Sequence, residues 1–242
     1  MKKTMGIGSV SLLGLVALVL RWRLYRTAGD EKGLLPRMHP LSIALLVLTA
    51  AVLLLIYITV RKQEEAAVFA DRSPRSIPAA LGNAVMAGVI LTTVLAGGPQ
   101  TSGYLATVWE YLGMAAFPCL VLAGTDRLRG KKSFFLLHVV PCLFLAVHIV
   151  SHYQSWSGDP QMQDYVFALL GAMALMFFGF YTAAMEAGCG SRRMLLGMGL
   201  AAIYLCLAEA AHSAYPQLYL AGMIWVMTDL HSLGTPAAAE KE

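Results

Sequence analysis

Seven nearly uncharged runs, each close to the length of a membrane crossing, leave this chain few folds to adopt. They cover residues 5–20, 41–60, 78–96, 104–123, 134–150, 165–185 and 195–211. A helix needs roughly 20 mostly apolar residues to cross a hydrocarbon core of about 30 Å. An eighth run, 218–227, is shorter. It reads either as the core of a last crossing over about 216–229 or as a segment lying in the interface. We read eight spans, with seven as the alternative. The runs are continuously apolar rather than alternating, so they lack the dyad repeat of a membrane β-barrel. The expected fold class is therefore all-α, a polytopic transmembrane helical bundle forming a single integral membrane domain over residues 1–242.

Composition removes the competing classes. Hydrophobic residues make up 58% of the chain and charged residues 13%, with a mean hydropathy of +0.64. That balance excludes a water-soluble enzyme and is too apolar for disorder. Cys119, Cys142, Cys189 and Cys206 form no CxxC pair and no disulfide framework, and read as small apolar residues. The first span follows Lys2 and Lys3 as a signal peptide would. It has no small-x-small cleavage site and runs into Arg21, Arg23 and Arg26, so it is expected to remain as an anchor.

Lysine and arginine set the expected orientation. With eight spans and a cytoplasmic N-terminus, 13 of the 18 basic residues fall inside, among them Arg61, Arg75, Arg127, Lys131, Lys132, Arg192 and Arg193. The other five, Arg21, Arg23, Arg26, Lys32 and Arg37, fall in the first outer loop, against the rule. The opposite orientation is worse, so the expectation is a cell-membrane protein with both termini cytoplasmic. The excess positive charge reports topology and contact with the lipid bilayer, not a nucleic-acid partner; no partner protein is indicated.

Titratable residues in the spans locate a candidate site. Every lysine and arginine is read as lying in a loop or terminus, whereas Glu110, His138, His148 and Glu209 lie within spans and His152 and His212 at span ends. Such groups at membrane depth are costly and face a partner or a wet cavity. Counting along each helix puts Glu110, His148, His152, Glu209 and His212 in the same outer third of the membrane, with His138 near the inner face. His148 and His152 are four apart and Glu209 and His212 three apart, so each pair shares a helix face. Eight of the 14 tyrosines and tryptophans gather at the same boundary: Tyr104, Trp109, Tyr111, Tyr153, Trp156, Tyr165, Tyr215 and Tyr219. An interfacial aromatic belt accounts for them, and so does a recessed outer surface.

The candidate ligand-binding residues are thus Glu110, His148, His152, Trp156, Glu209 and His212. His148 and His152 are candidate ligands for a divalent metal such as zinc, the one cofactor the sequence suggests. Interhelical hydrogen bonds explain the same residues without any ligand, and no HExxH motif is present. Between the fifth and sixth spans the chain reads Trp156-Ser157-x-Asp159-Pro160, then Asp164-Tyr165-x-Phe167. Turn chemistry and an Asp164 N-cap explain much of it; as a lid, Trp156 would cover the outer cluster. This signature resembles one recurring in an uncharacterised family of small polytopic bacterial membrane proteins. The resemblance implies the membrane class and no activity.

No lysine lies within a span, which argues against a retinal Schiff base, and no Walker or Rossmann glycine pattern occurs. Three functions remain. One is a small-solute binding or transport component with an outward-facing polar and aromatic pocket, to which we incline. The others are an intramembrane metal-dependent enzyme and a non-catalytic sensor, accessory or assembly subunit.

Overall fold

The computed structural model describes residues 2–28, 39–61, 75–97, 104–156 and 165–233. Eight helices fill them, with no strand among the described residues: α1 Lys2–Ala28, α2 Pro40–Arg61, α3 Ile77–Leu95, α4 Tyr104–Arg129, α5 Leu136–Trp156, α6 Val166–Ala187, α7 Arg192–Ala210 and α8 Pro216–Ser232. Seven of them, all but α8, are long and apolar enough to cross a membrane. From α3 to α8 each helix packs on the next, and α8 closes back onto α3. The α1–α2 pair packs on α7 from outside this circuit, so α7 touches α1, α2, α6 and α8 and is the most deeply buried candidate span.

Lipid tails are as apolar as leucine, so helices in a bilayer associate through close packing and interhelical polar contacts rather than water exclusion. Gly82 of α3 lies against Trp225 and Thr228 of α8, where a Cβ would collide. At Gly179 of α6 a Cβ would stand 2.8 Å from Cys142 Sγ and 3.2 Å from Trp225. These two positions let α3, α5, α6 and α8 approach closely. On α2, Thr49 and the Tyr204 hydroxyl of α7 share a hydrogen bond of 2.9 Å. The outer faces carry exposed Leu12, Leu46, Leu54, Leu81 and Phe180, surface that suits lipid.

Helix ends bring charge together. Ser76 caps α3, its hydroxyl accepting from Ala79 N–H at 3.2 Å while its own N–H donates to the Arg127 carbonyl at 3.1 Å. α6 ends on Gly188 at φ 85°, with Cys189 N–H donating to Ala184 O at 3.0 Å and Gly188 N–H to Met185 O at 3.1 Å. This left-handed closure stops the helix just after Glu186. It leaves Glu186 beside the end of α4.

The reading that every lysine and arginine lies in a loop or terminus is overturned. α1 continues past Leu20 to Ala28, so Arg21, Arg23 and Arg26 are helical, and Arg127 sits in the last turn of α4. Arg21 and Arg127 are both 2% exposed. An apolar run ends at its first charge, but a helix does not when a carboxylate on a neighbouring helix meets that charge. Residues 29–38, 157–164 and 234–242, which include Lys32, Arg37, Asp159, Asp164 and most of the Trp156 motif, lie outside the described residues.

Candidate functional site

α4, α5 and the start of α8 build one polar group. Trp109 on α4 is 1% exposed and donates its indole N–H to His148 Nδ1 at 3.3 Å. A neutral His148 then carries its own proton on Nε2. One turn on, His152 meets His148 edge to face with ring centroids 4.2 Å apart. Tyr215, which precedes α8, closes over both imidazoles at 5.2 Å from His152 and 5.8 Å from His148. Phe144 forms the apolar floor, 5.4 Å from the Trp109 ring.

A second group joins α1 to α7 at the same end of the bundle. Arg21 pairs with the Glu209 carboxylate, and its Nη1 also donates to the Ala208 carbonyl at 3.3 Å. Its guanidinium lies over the Phe167 ring at 5.0 Å and the Tyr25 ring at 5.8 Å. Tyr25 in turn stacks on His212 with centroids 3.5 Å apart. Tyr219, one turn beyond Tyr215, donates its hydroxyl to the Ala168 carbonyl at 3.1 Å and feels the charges of Glu209 and Arg21. The first turn of α8 therefore borders both groups.

The sequence-derived candidates divide accordingly. His148 and His152 meet, joined by Trp109 and Tyr215. Glu209 is buried but committed to Arg21, and His212 is exposed on Tyr25. Glu110 is exposed: the next residue after buried Trp109, it points about 100° away around the helix. Trp156 is the last residue of α5. Among the described residues no group of three or more His, Cys, Asp or Glu is placed to hold a metal, so the imidazole pair is what the described chain offers one. Sequence reasoning missed Arg21, whose only signal was a helix-compatible arginine directly after an apolar run.

At the opposite end, Arg127 Nη2 pairs with Glu186 at 3.0 Å, near buried Asp229 and fully buried His138. Neither Glu186 nor Asp229 was a sequence candidate, since each sits at the trimmed edge of an apolar run.

Apolar outer faces, helices of membrane length and charges turned inward onto one another define a multi-pass integral membrane protein lying in a lipid bilayer. No family model matches the chain, and neither a curated protein nor a solved structure is similar to it.

Proposed function

We propose that this membrane protein is a small-solute binding or transport component whose site is the ring cluster of Trp109, His148, His152 and Tyr215. The observation that carries the reading is the convergence of four rings from α4, α5 and the approach to α8, two of them imidazoles able to donate and accept hydrogen bonds. A cluster that only held helices together would not need two adjacent titratable rings, costly at this depth. Such a lining suits a small organic solute with a ring or an ammonium group and a hydrogen-bonding edge.

The test is a thermal-shift screen of small organic solutes on the detergent-purified chain. A stabilising solute whose effect disappears in His152→Ala supports the site, whereas stabilisation unchanged in His152→Ala and in Tyr215→Phe removes it.

The imidazole pair favours one second reading, a divalent metal with a role in catalysis. Mass spectrometry on protein prepared without a histidine tag decides it. Near-stoichiometric metal that is lost in a His148→Ala/His152→Ala double variant would replace the solute reading.

We place both termini in the cytoplasm and the ring cluster towards the outside. The position of Arg21 supports this, because an arginine buried on Glu209 serves packing and no longer counts against the positive-inside rule.

A further inference from the structure

The connection from α4 to α5 gathers exposed positive charge at the Arg127 end of the bundle. It reads Arg129-Gly130-Lys131-Lys132-Ser133-Phe134-Phe135, and Asp126 is the only carboxylate between that position and Phe135. Gly130 takes φ 64°, a left-handed turn in which its N–H donates to Arg127 O at 3.4 Å and Lys131 N–H to Asp126 O at 3.0 Å. This closure ends α4 and fixes the direction in which the next residues leave it. Leu137 N–H then donates to Phe134 O at 2.9 Å, so the chain turns straight into α5. Arg129, Lys131 and Lys132 are all exposed along this turn.

A fourth cation comes from α3. The hydrogen bond from Ser76 N–H to the Arg127 carbonyl holds the start of α3 against the end of α4, which brings exposed Arg75 to the same end. The carboxylates that close α6 and α8 do not offset this charge at the surface, because Glu186 and Asp229 are each 3% exposed and Glu186 is paired with Arg127. Asp126 is half-buried. Beside the cations stands apolar surface. Phe134 is 59% and Phe135 39% exposed, with ring centroids 4.9 Å apart. Aromatic rings next to lysines at the end of a span sit where headgroups meet acyl chains.

A topology signal needs positive charge alone. It needs neither cations from two helices held together through Gly130 and Ser76 nor an exposed aromatic pair beside them. A soluble anion would engage the cations and leave both rings uncovered, whereas a phospholipid covers both kinds of surface. A zwitterionic headgroup brings an ammonium group of its own, which the surplus of cations repels; an anionic one does not.

We propose that the α4–α5 connection, together with Arg75, is a binding site for one anionic phospholipid. Its phosphate meets Arg75, Arg129, Lys131 and Lys132, and its acyl chains lie along Phe134 and Phe135. The site goes beyond the solute reading and shares no residue with it, so either can fail alone.

The test is the melting temperature of the full-length chain in dodecyl maltoside at low salt, with added dioleoylphosphatidylglycerol or the same amount of dioleoylphosphatidylcholine. The two lipids share their acyl chains and differ in headgroup charge. In the wild type the phosphatidylglycerol should raise the melting temperature by on the order of 5 °C more than the phosphatidylcholine. High salt should shrink that difference. It should disappear in Arg129→Gln/Lys131→Gln/Lys132→Gln and persist in Arg23→Gln/Arg26→Gln, which removes exposed charge from the opposite end of the bundle.

Equal responses of the wild type to the two lipids overturn the proposal, and so does a difference kept at full size in the triple variant. An equal loss in both variants, or the same rise with inorganic phosphate in place of lipid, overturns it as well. Should the triple variant fail to fold, Lys131→Gln/Lys132→Gln takes its place. There the difference should at least halve, and a difference kept at full size overturns the proposal.

Discussion

Arg21 shows how much one side chain can carry in a bilayer. Its charge is buried against Glu209, and removing it leaves a carboxylate at membrane depth without its partner. Breaking a buried pair from one side costs about 3–5 kcal/mol, so Arg21→Ala should lower the melting temperature by on the order of 10 °C. Arg21→Lys should recover only part of that loss, because an ammonium cannot both fork between Glu209 and Ala208 O and lie flat over Phe167. Trp109→Phe keeps a ring but drops the donor to His148, a loss of about 1 kcal/mol by chemical or thermal unfolding. Position along the bundle was legible in the sequence at this scale and direction was not. Counting residues placed His148, His152 and Glu209 at one level, yet the same count put Glu110 with them although it faces outward. Arg21 was hidden for the converse reason, since a charge at the end of an apolar run looks like the end of a helix.

At the scale of helices, the runs themselves were readable, and an all-helical bundle followed from them. Their ends and their neighbours were not. Helix packing depends on which residues are small where another helix crosses, and the sequence lists many glycines without saying which ones face a partner. Gly179 does, so Gly179→Leu should force α6 away from Cys142 and Trp225 at a cost of about 1–3 kcal/mol. Leu at Gly88, where nothing lies within 4 Å, serves as the control and should leave the melting temperature nearly unchanged. Gly188→Ala tests the end of α6. Its positive φ makes any side chain unfavourable, and about 1 kcal/mol or more should be lost together with the precise stop after Glu186.

Across the whole molecule, what the sequence could not convey is that α7, near the end of the chain, is the helix on which the first two pack. Nothing in the order of the apolar runs encodes that, since the α1–α7 contact joins residues far apart in the chain, Gly14 against Leu207 and Arg21 against Glu209. Orientation belongs to this scale as well. A single cysteine introduced at Gly158, with the natural cysteines replaced, should react with an impermeant reagent added to intact cells; protection there would turn the proposed topology over.

The pairing of α1 with α7 also sets an order of events during synthesis. Arg21 and Glu209 are separated by 188 positions. At roughly 5–20 residues per second, Arg21 leaves the ribosome about 10–40 s before its partner exists. During that interval its guanidinium has to reach for the lipid headgroups, which holds the end of α1 near the membrane surface. The seat of the first helix is thus decided only when the seventh arrives.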